Sequence, residues 1–395
     1  MVFAAVVFWA AIALLGWVYI GYLAVLAILT RIRPVRLSDD ATTRDLAPPE
    51  LTVAIAVHDE AEQIADRVAN VLDQERSGAN IREVIVAIDG SRDGTAERVR
   101  ELSVSEPRIR ALNLERGGQT AAQTAAFDAA TSAIVVLTDA ETRFEPGCLA
   151  ALAAVFRDER VGCATGHLEW RNEQSTATAA NEGMYWRYER RVRDLESTAG
   201  LMTAVTGAVL AVRRSAYRPV PPTASMDHLV PLYVREAGGL VVYVRSARAT
   251  DRPISGLREQ FNNRTRTATR GIAANLSMVR RLDPVRHPWI ALAIWSHKLL
   301  RWATPWFAGL AVLAALVLVT GGAVGYAVVP VLGVAGLLAG ATGDAMARSG
   351  RRPPAPLAIA RAVLVVNVAF AQAWINVVTG RQIEAWHRAE WQPRP

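Results

Sequence analysis

Hydrophobic positions along this chain follow three different patterns. From Val2 to Leu29 there is no charged residue. At about 1.5 Å per residue, a helix of that length crosses a hydrocarbon core of about 30 Å with room for tilt. From residue 51 the pattern becomes short apolar runs alternating with helical spacing. Leu51–Val57 is β-branched, and Glu60–Gln74 carries Ile64, Val68, Val71 and Leu72 on one helical face. Val84–Ile88, Ile109–Leu114 and Ile134–Leu137 read as further strands, separated by helices over Thr95–Leu102 and Thr120–Ala130. Alternating strands and helices predict a parallel sheet with covering helices. Beyond residue 304 the chain is apolar again. Thr304–Ala323 and Val324–Ala341 are candidate spans, with Gly321 and Gly322 near their turn, and Pro356–Gly380 is a third, interrupted by Arg361 and Asn367.

These patterns divide the chain into an N-terminal transmembrane helix (1–32), a linker (33–50), a soluble α/β domain (51–282), the segment 283–303, transmembrane helices (304–380) and a tail (381–395). Arg31, Arg33 and Arg36 follow the first span. Positive charge favours the cytoplasmic side, so the α/β domain is expected inside. The first span lacks the basic start of a signal peptide. Pro288–Trp302 mixes three tryptophans with His297, Lys298 and Arg301 and reads as an interfacial amphipathic helix, with a buried or spanning helix as the alternative. One N-terminal and three C-terminal spans would leave the tail outside, although it carries Arg381, Arg388 and Arg394. Either the tail is external, or one segment is interfacial or re-entrant.

Composition sharpens this picture. The 395 residues are 51% hydrophobic and 21% charged, a combination that excludes wholesale disorder and a whole-chain coiled coil. The net charge is +7, and every cation but Lys298 is arginine. No nucleic-acid motif accompanies the charge, and basic loops beside membrane spans account for it, with anionic headgroups or substrate phosphates as arginine partners. Cys148 and Cys163 cannot build a disulfide framework or a cysteine-rich metal site.

In parallel sheets ligands bind at the carboxyl ends of the strands. There the chain places His58-Asp59-Glu60, then Asp89-Gly90-Ser91-Arg92-Asp93-Gly94-Thr95, then Thr138-Asp139-Ala140-Glu141-Thr142. A lone acid after a strand is more often a helix cap, and Asp93 is read so. Three acidic clusters at one edge suit a hard cation that also takes diphosphate oxygens. No P-loop is present: Gly117-Gly118 lacks the spacing and the Lys-Ser/Thr.

The run Val84–Thr95, then Arg116-Gly117-Gly118-Gln119-Thr120, then Thr138–Glu141, resembles the family 2 glycosyltransferases. Glu182–Glu189, Thr206-Gly207-Ala208, Met226-Asp227-His228 and Gln260–Gly271 resemble the membrane-bound branch, which includes cellulose, hyaluronan and poly-N-acetylglucosamine synthases. The resemblance implies an α/β GT-A catalytic domain, Rossmann-like with a mostly parallel sheet, flanked by α-helical transmembrane segments. It assigns donor-nucleotide binding to Glu60, Asp89, Gln119 and Asp139, and Mg²⁺ or Mn²⁺ to Asp139 and Glu141. Asp227 becomes the catalytic base. Gln260, Arg264, Arg266 and Arg270 fall near the family's Gln-x-x-Arg-Trp motif, in a diphosphate or acceptor role. Glu182, Tyr185, Trp186 and Glu189 share a helical face, read equally as core or as an acceptor face. His167 is read as structural.

The departures are Glu141 for the usual Asp, Gln119 for the usual lysine, Met226 for a frequent acid and no tryptophan in the last motif. That missing tryptophan bears on polymerisation more than on glycosyl transfer. The expected activity is inverting transfer from a nucleotide sugar, UDP-linked by analogy, to a growing surface polysaccharide. The alternatives are single-sugar transfer to a lipid or lipid-linked acceptor and a catalytically degenerate membrane scaffold. The expected partners are the donor, a saccharide or lipid-linked acceptor, the lipid bilayer and subunits of an export complex, but no nucleic acid. The expected location is a bacterial cell (inner) membrane, multi-pass, with the catalytic domain cytoplasmic.

Overall fold

The computed structural model describes residues 1–37, 48–170, 177–251 and 257–381, with the side chains of residues 170, 177–186 and 257 left aside. Most of the linker and the tail, with Arg388 and Arg394, lie outside the described residues.

Eight strands form one sheet in the order β3-β2-β1-β4-β7-β6-β8-β5. They are β1 (Glu50–Val57), β2 (Asn80–Asp89), β3 (Ile109–Leu114), β4 (Ile134–Thr138), β5 (Arg143–Phe144), β6 (Val161–Trp170), β7 (Leu210–Arg213) and β8 (Leu240–Asp251). β1 pairs in parallel with β2 and β4, and β2 with β3. β7 runs antiparallel to both β4 and β6. β6 therefore points the same way as β4, and β8 is parallel to β6. Sequence pattern found the first four strands. It missed the second half of the sheet, where β7 has four residues and β5 two.

Every residue of β1 after Glu50 is buried, as expected of a parallel strand covered on both faces. Alternation divides its side chains. Leu51, Val53, Ile55 and Val57 pack with Ile64, Val68 and Val71 of the helix Ile64–Leu72. Ala54 and Ala56 face Ala122, Ala126 and Phe127 of the helix Gln119–Ala129. This second layer continues without a break into Tyr22, Leu26 and Leu29 of the N-terminal helix and into Phe370 and Ala373. The α/β domain and the apolar helices thus share one core.

Among the described residues, three helices are long and apolar enough to cross a membrane: Val2–Ile32, Val324–Arg348 and Ala355–Val378. A fourth candidate is the pair Pro288–Trp302 and Thr304–Thr320, bent by 62° at its break. Outward residues such as Leu332, Leu337 and Leu338 are exposed, as lipid-facing positions are. Arg361, inside an apolar span, is buried and reaches Asp344 of the preceding helix. Intramembrane charge is tolerated when paired in this way. The helix from Val324 continues beyond Ala341, where the sequence reading ended the span, as far as Arg348.

The Pro288–Trp302 segment departs from the simple amphipathic picture. Its cations do not gather in an outward polar face: His297 and Arg301 are buried and Lys298 nearly so. Trp289 and Trp295 are exposed, while Trp302 is buried. A π-turn over Ile294–Leu299 rotates these side chains, and it faces a second π-turn, Trp17–Gly21, through a Trp17 Nε1 to Ser296 Oγ bond of 2.9 Å.

Candidate active site

The carboxyl ends of β1, β2, β4, β6 and β8 lie on one edge of the sheet, as the strand directions require. The polar loops there are stitched together before any ligand is considered. Asp93 accepts the backbone N–H groups of Ala61 and Thr95 at 3.0 Å each, so it binds the β1 loop to the β2 loop, in keeping with its reading as a cap. Asp59, at φ 53°, accepts Arg92 N at 2.9 Å. A non-glycine residue in that region is held there by its surroundings.

Asp89 is buried and accepts Gly117 N at 2.6 Å and Gly118 N at 2.9 Å. Gly118 has φ +87°, a conformation that suits glycine, and it opens the helix Gln119–Ala129. Glu60 is buried too, and Gln63 Nε2 donates to it. Neither Glu60 nor Asp89 lines the main cavity, whereas Gln63 and Gln119 do.

That cavity has a volume of about 740 Å³. Asp139, Glu141, Asp227 and Asp251 line it with Gln260, Arg264, Arg266 and Arg270. Gln119 Nε2 donates to Asp139 Oδ1 at 3.0 Å. Burial, followed by the charges of Glu141, Asp251 and Asp227, pushes the Asp139 carboxyl up to about 7. Among the described residues no three His, Cys, Asp or Glu side chains form a ready-made metal site. Asp139 and Glu141 nevertheless fit a divalent cation. A carboxyl strained by neighbouring carboxylates is relieved by a cation, and Mg²⁺ accepts one or two carboxylates completed by phosphate oxygens and water.

Asp227 lies in the first turn of the helix Met226–Glu236, beside His228, whose Nδ1 lies 3.1 Å from Asp227 Oδ1 and 2.9 Å from Ser225 Oγ. Burial would raise the Asp227 carboxyl. The His228 charge, hydrogen bonds from His228 and Ser225, and the Arg270 charge together hold it well below the usual range. Helix Leu257–Met278 passes over this corner at Gly271, where a Cβ would stand 2.4 Å from the Trp302 ring and 2.7 Å from His228 Nε2.

Arg270 donates to Thr120 Oγ1 at 2.8 Å and to Ala224 O, so it ties that helix to the start of Gln119–Ala129. Arg266 donates to Asn263 at 2.9 Å, and both Arg264 and Arg266 border the cavity. Of the aromatic and acidic helical face, the side chains of Glu182, Tyr185 and Trp186 lie outside the described residues. Glu189 is buried, with Arg301 Nη1 at 2.6 Å, His297 Nε2 at 3.3 Å, Arg193 Nε at 3.5 Å and Lys298 Nζ at 3.8 Å. His167, on the cavity wall, bonds Tyr243 OH at 2.5 Å and Glu169 at 2.9 Å.

Sequence reasoning missed Asp251, Arg67, His228 as a partner of Asp227, and the cations around Glu189. Asp251 carried the same signal as the others, an acid at a strand end, but the strand β8 went unrecognised. Arg67 carried none, since an arginine on a helix is ordinarily solvated.

Residues 52–220 match the family Glycosyl transferase family 2. Hyaluronan synthases of Streptococcus pyogenes, and of its serotype M1, are 26% identical to this chain over 184 residues, 44% of this chain and 43% of theirs. The match thus spans less than half the length of these curated relatives. Mannosyltransferase PcManGT from Pyrobaculum calidifontis, solved in complex with GDP-Man and Mn²⁺, superposes with a TM-score of 0.67 at 21% identity, over 95% of this chain and 100% of that one. The first strands, the acidic sheet edge and these likenesses agree: the chain carries a Glycosyl transferase family 2 domain of GT-A fold, set among helices long and apolar enough to cross a membrane.

Proposed function

We propose that this protein moves a sugar from a nucleotide sugar to a hydroxyl of a growing saccharide, with inversion at the anomeric carbon. The observation that carries the reading is one continuous cavity shared by the Asp139–Glu141 pair, Asp227 and the arginines of helix Leu257–Met278. Asp139 and Glu141 would hold Mg²⁺ or Mn²⁺ against the donor diphosphate, and a cation there supplies charge neutralisation for the departing nucleoside diphosphate. Arg264 and Arg266 add bidentate phosphate donors on the same wall. Arg270, bonded to Thr120 and Ala224, acts through position and charge.

Asp227 is the proposed base. The acceptor oxygen attacks the anomeric carbon, the bond from that carbon to the diphosphate oxygen breaks with its electron pair, and the hydroxyl proton passes to Asp227 Oδ. With a depressed pKa, Asp227 is ionised and ready at neutral pH but is a weak base, so proton transfer comes late, as the leaving group departs. Glu60 and Asp89, away from the cavity, support the nucleotide loops: Asp89 fixes the Gly117-Gly118 turn.

The likeness to hyaluronan synthase supports a saccharide acceptor and a UDP-linked donor, and the neighbour solved with GDP-Man supports including GDP-sugars in any test. The uncharged N-terminal span followed by arginines supports a cytoplasmic catalytic domain in a multi-pass membrane protein. The test is transfer by the purified full-length protein across a panel of UDP- and GDP-sugars, with Mn²⁺ or with chelator. Metal-dependent turnover with an inverted product linkage is expected. No turnover and no nucleotide binding across the panel would sink the reading and leave a scaffold.

A further inference from the structure

Asp227 meets the cavity with its side chain 24% exposed, while the side chain of His228 beside it is only 7% exposed. The backbone of Asp227 is fixed by Val205 N, which donates to its carbonyl at 3.2 Å. Its carboxylate is gripped at Oδ1, 3.1 Å from His228 Nδ1. A carboxylate only accepts, so the proton of that bond sits on Nδ1. Ser225 Oγ lies 2.9 Å from the same nitrogen. Oδ2 lies 3.9 Å from where a Cβ on Gly207 would stand, and Gly207 and Asp227 both line the cavity. The last torsion of an aspartate is soft, so a bond to one oxygen decides which way the other faces.

His228 is confined in turn by two elements distant in sequence. Gly271 of the helix Leu257–Met278 faces its Nε2, and the Trp302 ring lies beside its own, with centres 6.2 Å apart and planes at 43°. A Cβ on Gly271 would stand 2.7 Å from Nε2 and closer still to the Trp302 ring, so glycine is what lets the three elements meet. Trp302 is itself held. It ends the Pro288–Trp302 segment, just before the 62° break. Within that segment Arg301 Nη1 reaches Glu189 at 2.6 Å and His297 Nδ1 lies 2.9 Å from Glu196, both acids on the helix Ala177–Thr198. A continuous line of contacts therefore runs from this segment through Trp302 and His228 to Asp227.

We propose that His228 is a positioning residue for the base, holding Oδ1 so that Oδ2 is presented to the acceptor hydroxyl, and that Trp302 is the wall that keeps the imidazole in place. The assignment rests on the glycosyl-transfer reading with Asp227 as base. The hydroxyl proton still passes to Asp227, and His228 keeps its Nδ1 proton throughout. A base has to lie within about 2.6–3.2 Å of the proton it takes. A displacement of about 1 Å costs about 100-fold in rate. The Pro288–Trp302 segment thus takes part in turnover as well as in anchorage.

Steady-state kinetics of the full-length protein in nanodiscs test this, with nucleotide binding measured separately on every variant. His228→Asn sets an amide N–H near the place of Nδ1, whereas His228→Gln sets it near Nε2. His228→Gln should lower kcat about 10- to 100-fold with donor KM nearly unchanged, and His228→Asn should keep most of the turnover. A residue that only fills space would favour the larger glutamine. Trp302→Leu should lower kcat about 5- to 10-fold by the same route, and Trp302→Phe less. In an Asp227→Asn background neither His228→Gln nor Trp302→Leu should lower turnover further, because groups acting as one unit are not additive. Equal losses in both backgrounds, equal kcat for the two histidine variants, or a loss confined to donor KM overturns the proposal. Should a histidine variant lose nucleotide binding, the two Trp302 variants carry the same comparison. Near-normal turnover of Asp227→Asn by itself would instead strike the base reading, so the two failures are distinguishable.

Discussion

The guanidinium of Arg67 donates from Nε to the backbone carbonyl of Asp139 at 3.1 Å. Arg67 is completely buried under the loop that carries the metal-binding candidates. Its remaining nitrogens reach Thr138 Oγ1 and Asn70 Oδ1, each at 2.7 Å, and its Cζ lies 4.2 Å from the centre of the Phe144 ring. Asn70 in turn accepts Phe144 N at 2.9 Å and donates to Phe144 O at 3.0 Å. One buried cation thus fixes both ends of the Asp139–Phe144 loop, and burial lowers its pKa to about 9.

Arg67 should therefore act as a positioning residue for Asp139. Arg67→Lys keeps a positive charge but loses the planar fork, and should weaken Mn²⁺ dependence of transfer by about 10- to 100-fold, the usual cost of removing a support behind a metal ligand. The measurement is a Mn²⁺ titration at saturating donor. An unchanged Mn²⁺ midpoint, with only thermal stability lowered, would make Arg67 a purely structural residue.

Replacing Asp139 or Glu141 with alanine should abolish metal-dependent transfer while circular dichroism remains that of the parent. Both carboxylates lie at the cavity and neither belongs to a packed apolar layer. Full activity in both variants, or metal-independent activity of the parent, would remove the metal assignment.

Asp227→Asn retains shape and most hydrogen bonding but cannot accept a proton. Turnover should fall by about 10²- to 10⁴-fold, with nucleotide affinity nearly unchanged. The depressed Asp227 carboxyl also means that its protonation does not set the acid limb of the pH profile near neutrality. Near-normal turnover in an asparagine variant that binds donor would leave Asp227 as a structural acid in the first turn of its helix.

Far from the site, Glu83 accepts Thr52 Oγ1 at 2.9 Å, Thr131 N at 2.8 Å and Thr131 Oγ1 at 2.6 Å, and pairs with Arg110 at 2.5 Å. Burial opposes its charge, but these hydrogen bonds lower its pKa to about 2. A carboxyl depressed on folding stabilises the protein above its unfolded pKa, and that stability is lost as pH falls through the folded value. The loss should run from about pH 4.5 down to pH 2 and amount to about 3 kcal/mol at most. Glu83→Gln should flatten that part of the stability curve. A melting profile with the same acid slope in both proteins would count against the network.

Topology is open to labelling because Cys148 and Cys163 are both buried. Val104, strongly exposed on the helix Thr95–Ser105, supplies a reporter as Val104→Cys. An impermeant thiol reagent should miss it in intact cells and label it in lysates. Labelling in intact cells would reverse the proposed orientation.

The sequence alone determined the alternation of strand and helix, the uncharged first span and the identity of the strand-end acids. Each of these is local: a period of two or of 3.6, an absence of charge, a polar residue directly after an apolar run. Tertiary structure decided which acids share a cavity. Asp139 and Glu141 meet Asp251 because β5, directly after them in the chain, pairs with the end of β8 at Thr250, and Asp227 joins them from the helix Met226–Glu236; no local pattern encodes that pairing. It also gave Asp89 partners that the sequence does not show, the backbone N–H groups of Gly117 and Gly118. The cations of the Pro288–Trp302 segment show the same limit. Their spacing suits a headgroup-facing helix, yet two acids on the helix Ala177–Thr198 draw them inward. Whether a charge faces water or a buried partner depends on where the chain brings its counterion, which is a property of the fold and not of the segment.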